Sequence, residues 1–265
     1  GPFIASEDGP RGVHDQEFVR KPEISEFREW QSAAGGLIKI ITLAPELPGA
    51  EEFIRKATED GVVVALGHHA AEPEVIDRAV AAGARMVTHL GNGSHLMLPR
   101  LHNYIWEQLA NDRLMASIIA DGYHLPSPVM RVFVRAKRPG SLILVSDVGL
   151  LGGLPPGRDH WGPVEVEIHE DGHLSIPGTR FLAGAGHLLD RGIAQAVLHT
   201  DMALSQAVAS CTTIPCALFG IACPDEPDVE TQPTDFTAFR WRSGSEQIEP
   251  VVTVLQNRVW KKERS

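Results

Sequence analysis

Cysteine, tyrosine and long apolar runs are all scarce in this chain. Its 265 residues hold three cysteines and two tyrosines. Cys211, Cys216 and Cys223 are odd in number and lack CxxC spacing. That excludes a disulfide framework and a thiolate zinc ribbon, and it suits reduced thiols in the cytoplasm. No apolar stretch approaches the roughly 18 residues of a membrane-spanning helix, and no signal-peptide pattern appears, so no membrane partner is expected. Basic residues are in deficit: 24 Lys and Arg stand against 34 Asp and Glu, a formal net charge of −10. That balance excludes a nucleic-acid partner. A local Arg or His can still hold an anionic small molecule. Internal repeats and low-complexity segments are missing too.

What is present is a regular alternation. Short apolar runs recur at Leu37–Leu43, Val62–Leu66, Met86–Leu90, Met115–Ala120 and Leu142–Val145. Each has the length of a strand buried on both faces. Helical spacing fills the gaps at Glu51–Glu59, Glu72–Ala82, Asn103–Asn111 and Ser127–Lys137. This βαβ series predicts an α/β fold with a parallel sheet, or a (β/α)8 barrel. Only five strands are counted, whereas a closed barrel needs eight. The chain also opens without Met on a loop, "GPFIASEDGPRGVH". The reading is therefore an incomplete TIM barrel, with the missing strands expected before Gly1.

Beyond the series, Pro163–Ile176 alternates Val164, Val166 and Ile168, turns at Asp171-Gly172, and predicts a hairpin. Helices are expected near His187–His199 and Met202–Ser210. The tail from Cys223 is rich in Pro, Asp and Glu. It then offers strand-like runs at Phe236–Trp241, Val251–Leu255 and, after Asn257, Val259–Trp260. The expected organisation is a barrel portion over residues 1–222 and part of a small β-sandwich domain over 223–265.

In a parallel barrel, chemistry sits at the C-terminal ends of the strands. Here those ends read Gly67-His68-His69, Thr88-His89, Asp121-Gly122-Tyr123-His124 and Ser146-Asp147. Neutral imidazoles bind a divalent ion, and a nearby carboxylate can take the proton of an activated water. Successive strand residues face opposite ways. His68, directly after its strand, is therefore chosen over His69. His160, His169, His173 and His199 are expected to be solvated, and His95 is ambiguous.

The stretches "GPF", "RGVH", "TLAPEL", "GHHAA", "THLGNG", "IIADGYH", "LVSD" and "LAGAG" together resemble the amidohydrolase superfamily. Within it they are similar to the family of N-acetylglucosamine-6-phosphate deacetylases, from Gly1 to about residue 220. The resemblance implies the barrel of the metal-dependent hydrolases and hydrolysis of an N-acetyl amide on a phosphorylated amino sugar. It implies His68 and His89 as ligands of a divalent metal ion, zinc first, with iron or another divalent ion as alternatives. A ligand Glu is expected immediately before Gly1. Asp147 is implied as general base and then acid, and His14 as a polariser of the substrate carbonyl. Val13, Asn92, Gly93, Arg100 and His124 are implied to bind the sugar phosphate, with Arg100 reading the phosphate. Leu182, Ala183 and Gly184 are implied to form a loop over the acyl group. Relatives pair as homodimers, so a homodimer is expected. The sequence departs from the family pattern at "LGNGSH", at His187 and around Arg100. The alternatives are an amidohydrolase for another N-acyl or cyclic amide, or an inert chain that binds metal weakly.

Overall fold

The computed structural model describes residues 2–138, 140–223, 235–256 and 258–261. Gly1, the acidic stretch 224–234 and Asn257 lie outside the described residues.

Helix α1 (Ile24–Ala33) leads into strand β1 (Ile40–Leu43), and strict alternation follows. The order is α2 (Ala50–Glu59), β2 (Val63–Leu66), α3 (Pro73–Ala82), β3 (Met86–Val87), α4 (Tyr104–Ala110), β4 (Met115–Ile119), α5 (Ser127–Ala136) and β5 (Leu142–Val145). The five strands form one parallel sheet in chain order. Its register pairs Ile40 with Val63, Ala65 with Met86, Met86 with Met115, and Ala116 with Leu142. The topology is that of an arc of a (β/α) barrel.

The helices form where apolar residues line one face. In α2 these are Ala50, Phe53, Ile54 and Ala57, all buried. Helix α3 starts on Pro73, whose missing N–H costs nothing in a first turn, and stops at Gly83 with φ +123°. Both faces of the sheet are covered. Val64, Leu66, Val87, Ile118 and Leu144 belong to the main core with the helices. Ala65, Met86 and Ile143 face the other way, against Ile214 and Leu218. Double burial is why these strands read as unbroken apolar runs.

After β5 the chain builds a three-stranded antiparallel sheet from β6 (Gly157–Trp161), β7 (Val164–Ile168) and β8 (Leu174–Ser175). Helices α6 (Leu189–His199), α7 (Leu204–Ala209) and α8 (Thr213–Phe219) follow, with α8 supplying Ile214 and Leu218. Strands β9 (Phe236–Arg240), β10 (Glu249–Leu255) and β11 (Arg258–Lys261) make a second antiparallel sheet in the order β11-β10-β9. Ile248 is buried in the main core, and Phe239 and Trp241 pack against it. Among the described residues no helix is long and apolar enough to cross a membrane.

Three expectations change. Strand β1 begins at Ile40, not Leu37, because Gly35 and Gly36 turn the chain with φ of +60° and +80°, leaving Leu37 exposed. Strand β3 stops at Val87, not Leu90, because the backbone leaves the ladder at His89. The expected hairpin gains a third strand, β6, whose sequence GRDHW is too polar to announce itself.

Candidate active site

The ends of β2, β3 and β5 share one local feature. His68, His89 and Asp147 have φ of +52°, +31° and +51°. A residue with a side chain pays about 1–3 kcal/mol for such a backbone, which persists only where the surroundings impose it. Inside the sheet below them, the Thr42 and Thr88 hydroxyls meet at 2.8 Å across Gly67. A Cβ on Gly67 would lie 2.8 Å from the Thr88 Cβ, so only glycine fits beneath His68.

The imidazoles of His68 and His89 converge, with their Nε2 atoms 2.9 Å apart. His68 Nδ1 lies 2.8 Å from the Pro10 carbonyl and donates to it, leaving the lone pair on Nε2. Its ring lies against Gly12 and Gly93, and a Cβ on Gly93 would come within 2.8 Å of Nδ1. His89 is buried, and its Nδ1 has no hydrogen-bond partner among the described residues. Its backbone N–H donates to the Ser117 hydroxyl at 2.8 Å. Burial, reinforced by the neighbouring imidazoles, pushes His68 down to about 3. Burial also lowers His89, against the opposing charge of Asp147. Both rings are therefore neutral at pH 7, the form that ligates metal.

His14 stands edge-on to His68, with centroids 4.8 Å apart, and burial lowers its proton affinity as well. Arg11 fixes the loop that carries it. The guanidinium donates to the His14 carbonyl at 2.7 Å, the Asp8 carboxylate at 2.6 Å and the Ser6 carbonyl at 3.3 Å. Val13 is half-buried beside it. Asp147 is exposed, and its negative charge acts on both His14 and His89.

At the end of β4, Asp121 is buried and accepts from His124 Nδ1 at 2.7 Å. Its other oxygen takes the backbone N–H groups of Tyr123 and His124, each at 2.9 Å. Burial opposes ionisation of Asp121, but the bonds and charge of His124, with those N–H groups, hold its carboxyl below the usual range. The charge of His124 also lowers the proton affinity of His89.

Asn92 and Gly93 lie on the turn after His89. The Asn92 N–H donates to the His89 carbonyl at 2.9 Å, and its side-chain Nδ2 is buried without a partner among the described residues. The segment with Leu182, Ala183 and Gly184 is tied to β8 by Ala183 N–H to Leu174 O at 3.1 Å. A bridge between Val148 and Ala185 sets it beside the turn of Asp147. The Trp161 ring packs directly on Gly149 and Gly184.

Arg100 stands apart. It sits on an exposed loop with Leu96, Met97 and Leu101, and it forms no ion pair with a described residue. His69 faces away from His68 as alternation requires. It is buried against Gln108 and Tyr104. His95 bonds Glu7 at 2.9 Å and Tyr104 at 3.1 Å, outside the converging pair. The expectation of solvated His169 and His173 is corrected. Their rings stack at 3.8 Å, and His173 continues onto Tyr123 at 4.8 Å, because Asp171 binds both His173 and Tyr123. Ser117 and Arg11 escaped the sequence reading. A lone hydroxyl in the apolar run MASII was the one signal for Ser117.

The donor chemistry fits a shared divalent ion, because two neutral imidazoles aim Nε2 at one point. Among the described residues no group of three or more His, Cys, Asp or Glu side chains converges as a complete cage. Cys211 and Cys216 form no disulfide among the described residues.

No protein-family model matches the chain. It is 35% identical over 232 residues to the N-acetylglucosamine-6-phosphate deacetylase of Bos taurus, covering 83% of this chain and 55% of that protein. It is 34% identical over 185 residues to the protein of the same name from Bacillus subtilis, covering 70% and 46%. The chain thus spans about half the length of the curated relatives it matches. Among solved structures, the N-acetyl-D-glucosamine-6-phosphate deacetylase of Mycobacterium smegmatis superposes with a TM-score of 0.84 at 23% identity. That match covers 98% of this chain and 67% of that one.

Proposed function

We propose that this chain, homologous over most of its length to part of the N-acetylglucosamine-6-phosphate deacetylases, carries the amide-hydrolysing site of such an enzyme. The observation that carries the reading is the convergence of His68 and His89, with Nε2 atoms 2.9 Å apart, within reach of the charge of Asp147. The pair would hold a divalent ion, zinc first. When bound, that ion supplies Lewis acidity toward the acetyl carbonyl and lowers the pKa of water.

The remaining work falls to the chain. The Asp147 carboxylate is exposed and accessible, so it can take the proton of the attacking water as the new C–O bond forms. It then returns that proton to the sugar nitrogen as the C–N bond breaks, giving acetate and a free amine. His14, kept neutral by burial, offers an N–H to the carbonyl oxygen as charge develops there. His124, with its Nδ1 committed to Asp121, turns Nε2 toward the sugar hydroxyls. Asn92, whose buried Nδ2 has no partner among the described residues, and Arg100, which forms no ion pair with a described residue, would supply the contacts for the phosphate. Three cysteines, odd in number, suit a cytoplasmic enzyme.

The test is acetate release from N-acetylglucosamine 6-phosphate by the full natural polypeptide and its Asp147→Asn variant. Turnover should fall about 10²–10⁴-fold in the variant, with metal still bound. A variant that keeps most of the activity removes Asp147 from the mechanism. A natural protein inert toward this substrate refutes the substrate assignment.

A further inference from the structure

Metal-binding histidines are ordinarily oriented through the ring nitrogen that does not face the metal. His68 follows that rule through Pro10. His89 does not, because its Nδ1 is buried without a partner among the described residues. Its direction has to come from the main chain, and that main chain sits in a left-handed conformation at φ +31°. Something must hold it there.

The holder is on β4. At His89 the backbone leaves the β3–β4 ladder, so its N–H no longer finds a strand carbonyl. The Ser117 hydroxyl accepts that N–H at 2.8 Å and donates to the Val87 carbonyl at 3.1 Å. The Ser117 carbonyl accepts the next N–H, from Leu90, at 2.8 Å. One serine, 1% exposed, therefore replaces the lost rung with its side chain and resumes the ladder with its backbone. Without the hydroxyl, the buried His89 N–H would lose its partner. The cheapest relief is for residue 89 to relax toward ordinary strand geometry, swinging the imidazole away from His68.

We infer that Ser117 is a positioning residue that aims His89 at the shared ion by serving as a side-chain rung between β3 and β4. This rests on the reading of His68 and His89 as the metal-holding pair.

The experiment measures Co²⁺ affinity by chelator competition, and the visible absorption of the bound ion, in the wild type and in Ser117→Ala, Ser117→Cys, Ser117→Thr and His89→Ala. Ser117→Ala should bind about 10–100-fold more weakly and shift the absorption bands. Ser117→Thr, which keeps the hydroxyl, should match the wild type in bands and lie within about 3-fold in affinity, well short of that loss. Melting of the metal-free proteins separates a loss of fold from a loss of aim. If Ser117→Ala does not fold, Ser117→Cys decides, with a weaker affinity and shifted bands expected. Wild-type affinity and bands in the folded Ala or Cys variant overturn the role of Ser117 while leaving the pair intact. If His89→Ala itself binds as the wild type does, the pair is not the metal site, and that failure is distinguishable from the first.

Discussion

The ends of β2 and β3 present the same residue in a similar left-handed backbone, yet they hold it by opposite means. His68 is gripped by its ring: the Pro10 carbonyl accepts a hydrogen bond from its Nδ1–H, and Gly12 and Gly93 close on its faces. His89 is gripped by its backbone, through Ser117, and its ring has no second anchor among the described residues. The difference follows from where each strand lies. Beside β2, the loop 9–14 comes close enough to touch the ring. Beside β3, it is the Ser117 hydroxyl of the neighbouring strand β4 that reaches the backbone of His89. The pair should therefore fail differently. His68 should respond to the loops that line it, and His89 to a residue buried within a strand.

The sharpest way to break the comparison is Gly93→Ala. Gly93 has φ +53°, and a Cβ there would lie 2.8 Å from His68 Nδ1. The substitution should destabilise the fold by about 1–3 kcal/mol. It should also lower metal affinity about 10–100-fold by displacing the ring from Pro10. Gly12→Ala meets His68 at an ordinary 3.4 Å and serves as the milder control. Denaturant titration and chelator competition read both effects. Unchanged affinity in Gly93→Ala would show that His68 is not held by its ring.

His69 sharpens the comparison from the other face of the same chain segment. Burial pushes it down to about 3, so its folded pKa lies below the usual 6.5. The unfolded chain takes up this proton first. Stability linked to neutral His69 is thus complete above pH 6.5 and is lost as pH falls from there toward 3. The slope is up to about 1.4 kcal/mol per pH unit. His69→Asn should remove that much of the slope between pH 6.5 and 5 in urea unfolding. An unaltered slope would mean that His69 is already charged or hydrated in the fold.

Much of this was legible in the sequence, for identifiable reasons. The strands of the parallel sheet announced themselves because both faces are buried, which forces uninterrupted apolar runs such as VVVAL and LILV. The choice of His68 over His69 followed from strand alternation, and the structure places the two on opposite faces. Helix α1 went unread although Ile24, Phe27 and Trp30 recur every third residue and pack inward. Strand β6 was hidden because its residues are nearly all exposed, leaving no apolar alternation. The conformations at His68, His89 and Asp147 had no sequence signal, because a left-handed backbone is read from glycine and these positions lack it. The role of Ser117 was invisible because it depends on a partner 28 residues away.

The central claim is that His68 and His89 share one ion. The most direct measurement is anomalous diffraction at the zinc edge from crystals of the protein loaded with one equivalent of zinc. The account predicts a single strong peak bonded to Nε2 of both histidines at about 2.0–2.1 Å. A peak bonded to only one of them, or lying instead at His95 and Glu7 or at the stacked His169 and His173, would contradict it.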